Sequence, residues 1–276
     1  RSEGEHEEAL AIAKNAVALF PGSIDLLTAR AWSYSYTYRY DEALADVAAA
    51  NQDPAAHLVA ALVYFGQRKQ KECEAACSDA LRMDPQMVLA LVYRAEVRQR
   101  RRDPKGALED AEAAVQMDPG RVDAIQVRAY ARSSLGDRSG AMADCERSIV
   151  LSPYDAESYR IRGWVHVHSG ECEEGIKDAD IALKMGGRDS QTLALRAMAK
   201  LSLGRDAEAV ADAEEALQIN SMEAKAEVVL GTACLRRAKQ AEATEHCGRA
   251  LRISPGLPEA LRLRALISAS HDAKQE

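Results

Sequence analysis

Small apolar residues return along this chain at intervals too regular for a single irregular core. Ala or Gly stands at Ala31, Ala61, Ala95, Ala129, Gly163, Ala197, Gly231 and Ala265, and Ala, Cys or Gly at Ala9, Ala43, Cys73, Ala107, Ala141, Gly175, Ala209 and Ala243. A third series runs through Ala16, Ala49, Ala80, Ala114, Ser148, Ala182, Ala216 and Ala250. No large residue intrudes in any of the three. Positions reserved for small side chains mark where two helices approach closely. Runs of Val, Ile and Thr of the kind that form strands are few, so the elements expected are helices.

Turn-forming tripeptides punctuate this pattern at Phe20-Pro21-Gly22, Asp84-Pro85-Gln86, Asp118-Pro119-Gly120, Ser152-Pro153-Tyr154 and Ser254-Pro255-Gly256. Pro85, Pro119 and Pro153 are spaced by 34 residues, and Pro255 follows Pro153 by three times that interval. The period places two further stops at Gly187 and Ser221, where Gly and Ser serve as helix-ending residues. Pro54 lies 31 residues before Pro85 and 33 after Pro21, so the register slips near the start. A second break falls midway through the repeats, at Asp103-Pro104, Gly136-Asp137, Gly170-Glu171 and Gly204-Arg205. Each 34-residue repeat is therefore a helical hairpin.

A large residue, a small one and an aromatic in the first helix, with two alanines and a closing proline around the second, make up this repeat; Tyr159, Gly163, Gly170, Ala182, Tyr34, Tyr40 and Tyr64 fit it. It resembles the tetratricopeptide repeat (TPR) family over nearly the whole chain. The resemblance implies an all-α, right-handed superhelical solenoid of helix-turn-helix repeats with a concave inner face. On this reading residues 1–22 are a partial repeat consisting of a second helix, residues 23–257 are seven hairpins, and residues 258–276 are a C-terminal capping helix and tail. Arg1-Ser2 is not a natural start, so the sequence reads as part of something longer.

Composition narrows the functional classes. Aromatics are 5% of the chain against 47% hydrophobic residues, which suits alanine-rich helix packing. A net charge of -7 and a pI near 5.5 give no general attraction for phosphate backbones or acidic lipid, so nucleic acid is not the expected partner. The longest apolar run, about Ala55 to Phe65, is too short to cross a bilayer, and the chain reads as soluble and cytoplasmic. Six cysteines could frame disulfides, but they fall on helix faces, which favours reduced thiols.

The unusual internal charges are pairs sixteen residues apart: Arg30 with Asp46, Arg94 with Asp110, Arg128 with Asp144, Arg162 with Asp178, and Arg196 with Asp212. Where the arginine is missing, at Ala60 and Leu230, the aspartate is missing too, at Ala76 and His246. Joint loss is what direct contact between a hairpin's two helices produces, so these are expected to be structural salt bridges rather than a ligand-binding row. Cys73 and Cys77 share a helical face at a chelating spacing but occupy packing slots, and no second pair completes a tetrahedral site. His166 and His168 are two apart and do not face one another. Arg98, Arg100, Arg101 and Arg102 form a basic run at a helix end, where cations complement the helix dipole. No phosphate loop, zinc-protease motif or nucleophile elbow is present. The expectation is a non-enzyme without cofactor or metal.

Many family members bind acidic chaperone tails through Lys, Asn and Arg on successive first helices. Here those slots hold Thr28 and Trp32, then Leu58, Val59 and Leu62, then Val92, Tyr93 and Glu96, so that clamp is missing. Trp32 and Trp164 occupy the same first-helix slot, which in the family faces the groove. Tyr130, Met198 and Leu62 repeat it, with Tyr36, Leu58, Phe65, Tyr93 and Leu201 at adjoining positions. The expected function is a protein-protein interaction scaffold or adaptor that takes an amphipathic helix or extended segment of another protein on this apolar stripe. Its rival is a co-chaperone arm for unfolded clients.

Overall fold

The computed structural model describes residues 3–272 and divides into two compact units, one ending at Leu135 and the other starting at Gly136. All elements among the described residues are helical. The first unit holds α1 (Glu3–Leu19), α2 (Ile24–Tyr36), α3 (Tyr40–Ala49), α4 (Pro54–Gly66), α5 (Gln70–Met83), α6 (Val88–Arg100), α7 (Pro104–Met117) and α8 (Val122–Ser134). The second holds α9 (Arg138–Leu151), α10 (Ala156–His168), α11 (Cys172–Gly186), α12 (Ser190–Ser202), α13 (Asp206–Ile219), α14 (Ala224–Arg236), α15 (Gln240–Ile253) and α16 (Pro258–Asp272). Arg1, Ser2 and the tail 273–276 lie outside the described residues.

Helix starts follow local chemistry. Asp53, Asp103, Asp137, Asp155 and Asp189 each cap a helix by accepting a backbone N–H, and Pro54 and Pro104 stand just inside two of these ends. The turn inside a hairpin needs a residue in the left-handed region. Gly136, Gly170 and Gly204 supply it at φ of 77° to 87°, whereas Tyr38, Arg68, Arg102 and Ala238 adopt it at 58° to 67° despite carrying a Cβ.

Within each unit the antiparallel pairs α2/α3, α4/α5, α6/α7, α10/α11, α12/α13 and α14/α15 pack as hairpins. First helices also lie against one another, α2 with α4, α4 with α6, α6 with α8, and likewise α10 with α12, α12 with α14, α14 with α16. They form the continuous layer of each unit. The crossings sit at the small-residue slots: Ala31, Ala61, Ala95, Ala197, Ala43, Cys73, Ala107 and Ala209 have no exposed surface. Between α10 and α11 both slots are glycine, and a Cβ on Gly163 would come within 3.2 Å of the Gly175 carbonyl oxygen. Three slots depart from the series. The register slip puts Ala50, not Ala49, at the buried end of α3. Ala9 of α1 and Ala265 of α16 are exposed, because no described helix crosses them.

Charge pairs tie the hairpins internally. Arg30, Arg94, Arg162 and Arg196 each grip their aspartate with two hydrogen bonds, Nε to one oxygen and Nη2 to the other, at 2.6 to 2.9 Å. Asp46, Asp110, Asp178 and Asp212 are buried, and their arginines are held protonated more firmly than usual, chiefly by that hydrogen bond. A second base one helical turn further on joins several of them: Arg98 Nη1 lies 2.9 Å from Asp110 and Lys200 Nζ 2.8 Å from Asp212. Arg128 and Asp144 belong to different units, and their pairing is the repeat rule's proposal. In α14/α15 the polarity is inverted. Buried Glu227 on the first helix accepts from Arg249 Nε at 2.8 Å and meets His246 Nδ1 at 2.7 Å on the second.

Breaking such a pair leaves a desolvated charge, whereas replacing both partners by apolar residues leaves none. Asp110→Ala takes from Arg94 its carboxylate partner, and from Arg98 one of two, and should cost about 3–5 kcal/mol, while Arg30→Met with Asp46→Leu should be near neutral. A double-mutant cycle on Arg30 and Asp46 in urea checks this; additive losses would contradict it.

Candidate functional site

The first-helix layer of the first unit carries a cluster of large apolar side chains. Trp32 on α2 is half-buried and stacks on Tyr36 with ring centroids 5.9 Å apart; Tyr36 is 53% exposed and also stacks on His6 at 5.0 Å. On the neighbouring helices Phe65 and Tyr93 meet edge to face at 5.4 Å, and the Arg100 guanidinium covers the Phe65 ring at 4.2 Å. Leu62, on α4 like Phe65, is half-buried. Burial pushes the Tyr93 hydroxyl up to about 12, with the Glu96 carboxylate adding to it, so this phenol stays neutral and available as a donor. Leu58 belongs beneath: it is buried in the core cluster against which Trp32 and Tyr93 pack. Tyr130 is half-buried on α8.

The corresponding surface of the second unit is closed. Trp164 is only 7% exposed, because Lys225, two first helices along on α14, sets its ammonium 3.5 Å from the ring centroid while His168 packs on the indole at 3.8 Å. His168 Nε2 approaches Glu259 of α16 at 3.9 Å. Leu201 is buried in the α12–α14 core, where Met198 packs half-buried against it. Leu58, Trp164 and Leu201 are thus buried, unlike the half-exposed Trp32, Leu62, Phe65 and Tyr93. Tyr130 belongs to the first unit, and Trp164 and Met198 to the second.

The remaining candidates fall to structural roles. Cys73, Cys77, Cys145, Cys172 and Cys247 are buried free thiols and Cys234 is a half-buried one. The hydrogen bond with Cys73, then burial, holds the Cys77 thiol well above its usual range; burial pushes Cys145 up to about 12. Among the described residues no group of three or more His, Cys, Asp or Glu is placed to hold a metal ion. His166 bonds Glu171 at 2.6 Å and His168 bonds the Trp164 carbonyl at 3.0 Å, so the two imidazoles serve different neighbours. In the basic run Arg98 pairs with Glu74 and Asp110, Arg100 with Glu96, and Arg101 with Glu74. No described helix is long and apolar enough to cross a membrane.

A family model described as tetratricopeptide repeat matches residues 190–221, which span α12 and α13. No curated protein matches the sequence. Among solved structures, a chain of the APC/C hetero-tetramer Cut9–Hcn1 aligns with a TM-score of 0.72 and 18% identity over 94% of this chain and 52% of its own, so the present chain spans about half its length. A tetratricopeptide repeat protein from Parabacteroides merdae aligns with a TM-score of 0.66 and 17% identity, covering 95% of this chain and 98% of its own. A thermophilic TPR protein in Thermus thermophilus aligns at 0.60 and 21% identity over 66% of this chain and 99% of its own. These likenesses concern the fold.

Two outcomes check the reading of the second unit. Trp164→Ala removes a buried indole and its cover and should cost about 3–5 kcal/mol of stability, seen as a fall in thermal midpoint. Glu223, whose carboxyl is raised chiefly by burial, binds its proton more tightly folded than unfolded. Its contribution therefore worsens as pH rises from the ordinary carboxylate range through the raised folded value. Glu223→Gln should raise the melting temperature at pH 7 and lose that advantage in acid; equal effects at both pH values would contradict the assignment.

Proposed function

We propose that this chain of tetratricopeptide repeats is a non-catalytic scaffold or adaptor that takes an apolar segment of another protein, an amphipathic helix or an extended stretch, on the first-helix layer of its first unit. The carrying observation is Tyr36, exposed on one edge of an aromatic surface whose other members, Trp32, Leu62, Phe65 and Tyr93, are only half covered. Aromatic side chains that keep open area next to a packed base are the usual anchors of protein interfaces, since they bury much apolar surface for little lost side-chain freedom. Arg100 and Glu96, paired at 2.6 Å at the border, supply a polar rim. The reduced, buried thiols support action in a reducing compartment such as the cytoplasm.

Helical peptides selected from a random library on the intact chain should include binders that lose roughly 30-fold in affinity on Tyr36→Ala, about 2 kcal/mol, by fluorescence anisotropy. The thermal midpoint should hardly move, because Tyr36 is largely exposed. Selected binders indifferent to both Tyr36→Ala and Leu62→Ser would overturn the proposal.

A further inference from the structure

The left-handed residue of each hairpin turn is filled in two ways. Later hairpins use Gly136, Gly170, Gly204 and Ala238, whereas the first three use Tyr38, Arg68 and Arg102, at φ of 58° to 67°. A long side chain there is strained, because its Cβ crowds the backbone, and glycine at the same place is not. Strain of this kind persists where the surrounding fold enforces it, and it collects at sites that bind.

The three turns are neighbours along one edge of the first unit. A Cβ on Gly66, at the end of α4, would come within 3.0 Å of the Tyr40 hydroxyl, which brings the α2/α3 turn beside the α4/α5 turn. Arg98 Nε meets Glu74 of α5 at 3.1 Å, Arg101 pairs with the same carboxylate, and Arg100 covers Phe65 of α4. Those contacts bring the α6/α7 turn beside the α4/α5 turn. The edge also carries excess positive charge. Arg68, Lys69, Lys71, Arg102 and Lys105 are exposed, and none of them has a carboxylate at ion-pair distance among the described residues. The acids beside them are committed: Glu74 and Glu96 pair with arginines and Asp103 caps α7, which leaves exposed Glu72 to answer the bases.

We propose that this turn edge, Tyr38, Arg68 and Arg102 with Lys69, Lys71 and Lys105, is a docking surface for an extended acidic segment of another protein. The occupant follows from charge complementarity. Because the neighbouring acids already have partners, the balancing carboxylates come from outside the unit. A short run of Asp or Glu supplies them, whereas a long polyanion such as nucleic acid runs on past the bases along a chain of net charge -7. Tyrosine, 76% exposed at Tyr38, and arginine are also the side chains that anchor protein interfaces. Packed helices lie ~8–10 Å apart, a distance that an extended chain spans in about three residues, so carboxylates three positions apart reach Arg68 and Arg102 in turn.

The probe is a fluorescein-labelled peptide repeating Glu-Ser-Ser, read by anisotropy at low salt, with a Gln-Ser-Ser peptide as its uncharged control. The intact chain should bind the Glu peptide saturably, release it at high salt and ignore the Gln peptide. Arg68→Gly with Arg102→Gly should weaken binding about tenfold. The same double substitution should raise the thermal midpoint by about 2–4 °C, because it relieves the backbone. Ala238→Gly relieves an equivalent position at φ of 60° and should raise the midpoint without touching affinity. Absence of saturable binding, equal binding of the Gln peptide, affinity unmoved by the double substitution, a midpoint that does not rise, or equal weakening by Ala238→Gly would each overturn the proposal. So would an oligothymidylate that binds more tightly than the peptide through the same arginines, which would make the occupant nucleic acid. Dimerisation in light scattering that the double substitution abolishes would overturn it too, in favour of a second copy. Tyr36 and Leu62 are untouched by these variants, so failure here leaves the function proposed above standing.

Discussion

Everything in this chain rests on two helices approaching until their backbones nearly touch. At the crossing of α10 and α11 even a methyl group on Gly163 would crowd the neighbouring backbone. Ala, Gly or Cys at the crossing is thus a steric condition for the hairpin, and the larger apolar residues close the space on either side. Because the same condition recurs every 34 residues, each hairpin is a copy of one packing solution and stability accrues between sequence neighbours.

Close approach has an electrostatic consequence. A carboxylate beside the crossing is stripped of water, and at Asp46, Asp110, Asp178 and Asp212 a guanidinium meets both oxygens in its place. Such a pair adds little net stability over an apolar filling, yet it punishes any arrangement that separates the partners. The second base one turn on, Arg98 or Lys200, neutralises the lone pairs that remain.

How much of this was legible depended on the distance over which the signal acts. The slots and the sixteen-residue pairs act within one hairpin, so a periodic sequence displays them directly. Arg98 was read only as part of the basic helix end and Lys200 not at all, although each lies four residues beyond Arg94 or Arg196 on the same face. Ala50 was obscured by the register slip between Pro21 and Pro85. The inverted pair of Glu227 with Arg249 was hidden because its members occupy other positions than the series they replace. The burial of Trp164 could not be read at all: it depends on how far successive first helices curve round, which decides whether Lys225 of α14 reaches a residue on α10. Turn residues were half legible, since Gly136, Gly170 and Gly204 announce left-handed backbone while Arg68 and Ala238 adopt it silently.

The inverted hairpin α14/α15 bears on a hazard peculiar to repetitive chains. Hairpins built from interchangeable helices can trade them during folding, because a first helix from one repeat fits the second helix of the next almost as well as its own. Exchange between α12/α13 and α14/α15 would set Glu227 against Asp212, carboxylate against carboxylate, and would leave Arg196 facing His246 instead of an aspartate. The odd hairpin thus acts as punctuation, marking for the folding chain which helices belong together where shape alone would leave them ambiguous.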